Sequence, residues 1–479
     1  MDYSAIQSDV QSTVIDWVEQ NEQKIIAVSR QLWENPELQY EEVESARLLS
    51  GWLEENGFTL ERGVADIPTA FVATYTTGEG PVIGILGEYD ALPGVGVEIA
   101  PVHKPTGKNG HACGHNLYGA GSSAAAIALK QAMDANGIRG TVKMFGCPAE
   151  EGGGAKVFMT RDGVFDGLDA VITWHPANAS ICTQASSLAI YSVRFRFHGR
   201  AAHAGVTPHL GRSALDAAIL MDVGVQFLRE HMPVSNRIHS VITNGGVVPN
   251  VVPDFSEIWY NLRAPTRADV DVLLERVTNI ARGMALATDT TVEVCKQSRG
   301  CSSNNIANAV LSEVALANLK RVGGPKFTKE DWEFAKELNA GVTRQEKLEN
   351  MRMMYNITDE HAADDLYEGV GDDMLKGQTA PYSGDSGDVS WQMPYCQYSI
   401  ACQTVGTGNH SWQQTVCAGS HIGQAGMLCA AKALACSAAE FMGRPGLIAA
   451  AKAEHAKKTE AYPYTSPIPA DAKATDMCK

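Results

Sequence analysis

Four short segments carry the side chains whose types and spacing could do chemistry. His111-Ala112-Cys113-Gly114-His115-Asn116 stands between a Gly-rich loop and a helical pattern. Residues two apart in extended backbone point the same way, so Cys113 and His115 can converge on one point, and thiolate with imidazole suits zinc and its neighbours. Pro148-Ala149-Glu150-Glu151-Gly152-Gly153-Gly154 sets two carboxylates after a predicted strand, followed by glycines that admit close backbone approach. One carboxylate can bind metal while its neighbour handles protons. Trp174-His175-Pro176 and Gly406-Thr407-Gly408-Asn409-His410-Ser411 each present a histidine after a strand or turn. Singly, each segment has an ordinary structural explanation: packed Cys and His, a solvated acidic loop, a strand-end histidine. Together, Cys113, His115, Glu151, His175 and His410 follow predicted strand ends or loops, where open α/β sheets put their ligands. Five such ligands exceed what one tetrahedral ion needs, which favours a two-metal centre with a bridging ligand.

The elements that must position these residues follow from hydrophobic periodicity. Helical spacing fills Ala5 to Val18, Lys24 to Trp33 and Glu42 to Glu55. A strand over Pro81 to Leu86 leads into a long loop, Gly87 to Gly110; then come a helix over Gly119 to Met133 and strands over Thr141 to Phe145 and Ala170 to Thr173. The alternation predicts an α/β layer with a largely parallel sheet. From Leu188 the pattern changes: strand, helix (Arg212 to Glu230), strands at Arg237 to Thr243 and Phe255 to Arg263, helix (Ala268 to Leu286) and strand (Thr290 to Cys295). This is the split βαβ order, β-α-β-β-α-β, and it sets an inserted domain at 188–297 within a discontinuous catalytic domain, 1–187 and 298–479. The catalytic pattern resumes with a helix over Asn305 to Leu319, a polar stretch at about 324–380, a strand near Tyr398 to Thr404 and a helix over Ser420 to Met442. The chain beyond Arg444, ending in a Pro-rich tail, is expected on the surface.

Composition narrows the partners. The 479 residues hold 39 basic and 55 acidic side chains, a net charge of -16 with no clustered basic run, which argues against nucleic acid. The N-terminus lacks the apolar core of a secretory signal, and Gly423 to Met442, interrupted by Lys432 and Glu440, reads as a buried helix rather than a membrane span. Eleven scattered cysteines point to reduced thiols in the cytoplasm. The sequons at Asn178, Asn356 and Asn409 are then accidental.

Gly87-Glu88-Tyr89-Asp90-Ala91-Leu92-Pro93, the HACGH, PAEEGGG and WHP segments, Gly199-Arg200-Ala201-Ala202-His203-Ala204-Gly205, Pro249-Asn250-Val251-Val252-Pro253 and GTGNHS occur in an order that resembles the M20 family of metallo-aminohydrolases. The similarity is to the amidohydrolase branch that includes auxin-conjugate hydrolases, and it runs from about Ile25 to Met442. It implies a di-metal, aminopeptidase-like α/β catalytic domain with an inserted, ferredoxin-like α+β lid that dimerises. In this branch the cysteine stands where other members have a bridging aspartate, so Cys113 should bridge two divalent ions, manganese or zinc. His115 and His175 would hold one ion, Glu151 and His410 the other. By the same resemblance Glu150 is the general base, Asp90 orients a ligand histidine, His203 and Asn250 polarise or bind the scissile carbonyl, and Arg263 binds a substrate carboxylate. The implied reaction is hydrolysis of an N-acyl or N-aroyl amino acid, p-aminobenzoyl-glutamate before indole-acetyl-aspartate. The competing class is a metal-stabilised subunit whose role is assembly. A homodimer through the lid is expected, with a heteromer of homologous chains as the other arrangement, and neither nucleic acid nor membrane as a partner. Asn116 departs from the aspartate common in the branch, and the stretch at about 324–380 is longer than usual, suited to substrate entry or a subunit contact.

Overall fold

The computed structural model describes residues 3–474. In chain order the elements are helices α1 (Tyr3–Gln20), α2 (Glu22–Glu34) and α3 (Val43–Glu55), strands β1 (Thr59–Arg62), β2 (Phe71–Thr76) and β3 (Val82–Gly87), then α4 (His115–Asn136), β4 (Thr141–Gly146), α5 (Ala155–Arg161), β5 (Ala170–Ala177) and β6 (Ile181–Thr183). Next come β7 (Ala189–His198), α6 (Ala214–Leu228), β8 (Arg237–Asn244), β9 (Phe255–Ala264), α7 (Arg267–Ala287) and β10 (Thr291–Lys296). The chain finishes with α8 (Ala309–Val322), α9 (Lys329–Leu338), α10 (Arg344–Tyr355), α11 (Ser386–Ser390), β11 (Tyr395–Ala401), α12 (Trp412–Gly419), α13 (His421–Gly443) and α14 (Pro445–Thr459). Two compact units divide it. One comprises the described residues to Ser186 with Ile306–Ala380 and Val389–Tyr464, and the other Ser187–Asn305, Pro381–Asp388 and the described residues from Thr465.

In the first unit seven strands pair in the order β1-β2-β4-β3-β5-β11-β6. Only β4, β3, β5 and β11 are parallel neighbours; β1 and β2 at one side and β6 at the other pair antiparallel. The expected largely parallel sheet is therefore parallel only in its middle. The link between β1 and β2 is too short for the crossover that parallel pairing needs. Helices α4 and α13 carry almost nothing but small and apolar residues and are buried nearly all round, as core helices should be. The buried share of the apolar window in α13 is 83%, so this stretch is the interior of the unit. Gly119 lets α4 lie close to the segment after β3, since a Cβ there would stand 2.7 Å from the Glu88 carbonyl oxygen.

Beyond Arg444 the surface expectation fails. Pro445 opens α14, whose Ile448, Ala451 and His455 are buried on one helical face, and Ile468 is buried in the segment that follows. The polar stretch at about 324–380 also folds. Thr328 with Asp331 and Thr343 with Glu346 form capping boxes that start α9 and α10.

The second unit is a four-stranded antiparallel sheet, β10-β7-β9-β8, with α6 and α7 packed together and against it. Its βαββαβ order and strand arrangement are ferredoxin-like. Tyr191, Val193, Phe195 and Phe197 of β7 are all fully buried. By contrast, β8 is an edge strand exposed along nearly all its length.

Candidate metal centre

The C-terminal ends of the four parallel strands deliver the chemistry, as the rule for open α/β sheets requires. β3 leads into Glu88 and Asp90, β4 into Glu150 and Glu151, and β11 into the loop bearing His410, while His175 sits inside β5, which runs on to Ala177. Cys113 and His115 converge, but not through extended backbone. Residues 112–113 form a turn, Gly114 is left-handed (φ 75°), and His115 is the first residue of α4. Glycine is required at 114 twice over, because a Cβ would also press on Pro176 at 3.0 Å.

The sequence-predicted ligands form two groups that share a member. Cys113, His115 and His175 offer donor atoms within 4.8 Å of one another, and so do Cys113, Glu151 and His410. Cys113 Sγ lies 3.3 Å from His175 Nε2, and His410 Nε2 lies 3.3 Å from Glu151 Oε2. The outer atoms of these rings are committed elsewhere. His115 Nδ1 donates to Asp90 Oδ1 at 2.9 Å and His175 Nδ1 to the Pro176 carbonyl at 2.7 Å, which leaves each Nε2 for a cation. The other oxygen of Asp90 accepts from the Glu151 backbone N–H at 2.8 Å, so one carboxylate orients two of the predicted ligands. His410 is left-handed (φ 58°), held by its N–H to Gln414 Oε1 at 2.9 Å and to the Ala112 carbonyl at 3.2 Å.

A third group, Glu88 with His115 and Glu150, was not foreseen in full: Glu88 sits in a recognised motif without a role there. Glu88 is buried, with Oε1 2.7 Å from the wholly buried Lys156 ammonium and Oε2 3.1 Å from His115 Nε2. Removing one member of such a buried pair costs about 3–5 kcal/mol, since the other is left uncompensated. Among the described residues Glu88 Oε2, His115 Nε2 and Glu151 Oε1 are buried and make no hydrogen bond, the first two facing each other only as an ion pair. These are the atoms a divalent cation satisfies, and the set of thiolate, imidazole and carboxylate suits zinc or manganese.

Protonation follows burial and mutual charge. Burial, then Glu151, pushes the Cys113 thiol up, and burial pushes Glu151 up as well. Burial alone would lower His115, but Cys113 and Asp90 beside it raise it well above the usual value; His175 is pushed down to about 4 by burial and by His115. His111, buried against the Leu32 carbonyl, is likewise neutral, down to about 4 through burial and His115. Asp90 resists burial because the adjacent His115 lowers it.

Asn116 faces away from this cluster. Its amide donates to Ser29 Oγ at 3.0 Å and the Ala418 carbonyl at 2.9 Å, a double-donor task that an aspartate could not perform. Asn178 is buried with its amide on the Thr404 carbonyl, so the sequon there is inaccessible in the fold.

The residues expected in the inserted unit are placed as follows. His203 and Asn250 are exposed, and the segments that bear them meet at a His203–Val251 bridge and an Ala204 N–H bond to the Asn250 carbonyl. His203 Nδ1 accepts from the Gly205 and Val206 N–H groups at 3.2 Å, which puts the ring proton on Nε2 as an outward donor. Arg263 is half-buried on β9, its Nε has no partner among the described residues, and burial holds its guanidinium below the usual value.

Sequence profiles of Peptidase family M20/M25/M40 match residues 84–354. The chain belongs to the M20 family. Within it, the chain is 41% identical to one of the subunits of p-aminobenzoyl-glutamate hydrolase from Escherichia coli (strain K12), over 95% of this chain and 96% of that protein. It is 31% identical to Xaa-Arg dipeptidase of Mus musculus, over 91% of this chain and 90% of the relative. The fold matches that of a dinuclear metal binding peptidase of the M20 family from Bacillus subtilis, with TM-score 0.60, 17% identity and coverage of 89% and 99% of the two chains. M20 members hydrolyse amide bonds, and this chain is a hydrolase of that class.

One residue at the M20 site carried no signal in the sequence. Glu42 is fully buried, accepts from the Ala149 N–H at 2.8 Å and the Thr69 hydroxyl at 3.0 Å, and thereby holds the left-handed Ala149 (φ 54°) just before Glu150. Burial, then the charge of Asp90, pushes its carboxyl up to about 8. The folded state therefore keeps a proton that the unfolded chain loses near its ordinary 4.5, so this contribution is full below that pH and is lost as pH rises through about 8. Glu42→Gln removes the dependence. Urea melts should show the stability difference shifting in the variant's favour from about pH 5 to about pH 9, and a difference that does not change with pH would count against this assignment.

Proposed function

We propose that this chain is a metal-dependent amidohydrolase of N-acyl or N-aroyl amino acids, cleaving p-aminobenzoyl-glutamate to p-aminobenzoate and glutamate. The observation that carries the reading is the pair of donor groups sharing Cys113, with Glu150 beside them. The choice of substrate follows the activity for which the Escherichia coli relative is named. Cys113 would bridge two ions, His115 and His175 completing one set and Glu151 and His410 the other. Bound there, divalent cations supply Lewis acidity and a lowered water pKa.

The remaining work falls to the chain's own groups. Glu150 takes a proton from the attacking water at a carboxylate oxygen and returns it to the leaving amine nitrogen as the C–N bond breaks. Asp90 accepts from His115 Nδ1–H, which makes Nε2 the nitrogen that would give up its proton to a bound cation. His203 Nε2–H and the Asn250 amide are the donors we assign to the developing oxyanion, a type of contact worth about 10²–10³ in rate. Arg263 is the carboxylate clamp, supported by a half-buried guanidinium whose Nε lacks a partner among the described residues. Arg263→Ala should raise KM for p-aminobenzoyl-glutamate on the order of tenfold or more while a neutral amino-acid conjugate is unaffected. Equal losses on both substrates would remove Arg263 from this role.

For assembly we assign a homodimer through the inserted unit. Leu220, Val223 and Phe227 of α6 and Val241 and Ile242 of β8 are exposed apolar side chains on it. Phe227→Glu should yield monomers by light scattering. A second arrangement, a heteromer with a homologous chain, is favoured by the Escherichia coli relative, which is one component of a hydrolase made of different subunits. The eleven cysteines support a cytoplasmic location.

The deciding experiment is amide hydrolysis by metal-stripped protein given back manganese or zinc, over a panel of N-acyl glutamates, aspartates and neutral amino acids. Metal-dependent release of p-aminobenzoate is the expected result. Turnover of other conjugates alone discards the substrate and keeps the chemistry, whereas silence across the panel by metal-loaded protein favours the assembly role.

A further inference from the structure

The stretch between α8 and β11 folds back onto the strand ends that carry two of the histidines. It shares a small apolar core with them, in which Met351, Tyr355 and Tyr367 pack with Ala177, Ala179 and Val405. Polar contacts run through the same place. Tyr355, which ends α10, donates its hydroxyl to Asn178 Oδ1 at 3.3 Å and accepts from the Asn178 backbone N–H at 3.2 Å. Asn178 stands three residues after His175, and its Nδ2 donates to the Thr404 carbonyl at 2.6 Å. From α9, the cap residue Asn339 donates Nδ2 to the Val405 carbonyl at 2.9 Å. The Val405 N–H in turn donates to the Asp365 carbonyl at 2.9 Å, and the Asp365 carboxylate accepts from Lys347 Nζ at 2.5 Å.

The chain leaving His175 and the chain entering the His410 loop are thus gripped from one side by a single folded element. Asn178, Asn339 and Thr404 are all buried, where each lost hydrogen bond leaves an unsatisfied partner. The four residues between Val405 and His410 include Gly406 and Gly408, so the fixed point at Val405 steadies the near end of a loop whose far end is held by the His410 N–H.

We propose that residues 323–380 are a brace for the two histidine-bearing segments, with Tyr355 and Asn339 as positioning residues that hold His175 and His410 at metal-binding separation. This rests on the two-metal reading above. The segment is held within its own unit by its buried apolar residues, Met351, Tyr355 and Tyr367 on the strand ends and Ala335, Leu338 and Leu366 against α12 and the start of α13.

The test is titration of metal-free, full-length protein with cobalt(II), followed by its visible bands and the thiolate-to-cobalt absorption of Cys113. Wild type should take up two equivalents. Asn339→Ala should weaken one equivalent by up to about 10-fold, the low end of what losing a ligand's own hydrogen-bond partner costs because Asn339 acts through Val405, and leave the other intact. Tyr355→Phe keeps the ring in its core but leaves the Asn178 N–H unsatisfied, so it should lower the melting temperature of the metal-free protein modestly and shift the cobalt bands while the second equivalent binds as in wild type. Unchanged affinities and spectra in both variants would overturn the brace. So would a loss of both equivalents in step with a lower melting temperature, since that is ordinary destabilisation. Wild type binding fewer than two equivalents, with no thiolate band, would instead overturn the two-metal reading itself.

Discussion

Glu150→Gln should keep both metal equivalents and lose about 10²–10⁴ in kcat, the range that a positioned general base contributes. The substitution is close to isosteric, so the loop from β4 to α5 keeps its shape. Ala149 is still held by Glu42, and the Gly154 N–H still closes on the Ala149 carbonyl at 2.7 Å. Glu151 stays anchored through its own N–H on Asp90. What changes is one oxygen that can accept a proton. The group of Glu88, His115 and Glu150 makes a second outcome informative, because their donor atoms lie within 4.8 Å of one another. Metal analysis alongside turnover separates the two cases. Loss of activity with full metal content assigns Glu150 to proton transfer, loss of metal assigns it to the ligand set, and near-normal kcat removes it from catalysis.

Much of this centre was legible because its parts obey local rules. Short apolar strands and the segments that follow them marked the C-terminal edge of the sheet, and the four candidate segments stood there in sequence. The convergence of Cys113 and His115 was expected for the wrong local reason. A left-handed Gly114 and the start of α4, rather than extended backbone, bring them together. Glu42 was beyond reach, since a glutamate beside Glu41 in a polar stretch gives no sign that its carboxyl will be buried under a loop more than 100 residues away. The pairing of Glu88 with Lys156 is invisible for the same reason: it depends on which face of α5 meets the end of β3. The braced segment is a different case. Its helix starts are written as Thr328-x-x-Asp331 and Thr343-x-x-Glu346, and overall polarity concealed them because few apolar residues are needed to seat short helices on a small core.

Cys113→Ala is expected to have the largest effect on metal binding, because both of the donor groups proposed as ligand sets include this one sulfur. Removing His410 would strip one set and removing His175 the other, whereas removing Cys113 strips both. Loss of an outer-sphere partner costs about 10- to 100-fold in metal affinity, and loss of a shared direct ligand should exceed that. The anionic character of the bridge matters as well as its position. In the metal-free protein the thiol sits among Glu151, His115 and His175, and burial keeps it protonated. With a cation held there the sulfur would lose that proton, and the thiolate would offset positive charge between the two sets. A neutral side chain cannot do this, so Cys113→Ser should bind almost as poorly as alanine despite its size. Cys113→Asp restores a negative, potentially bridging group and should recover two-metal occupancy and part of kcat, as measured by metal content and turnover on the same preparation. If serine restores both as well as aspartate does, charge at the shared position is not what holds the ions. If alanine binds two equivalents with wild-type affinity, Cys113 is not a ligand and the two groups must be held by the histidines and carboxylates alone.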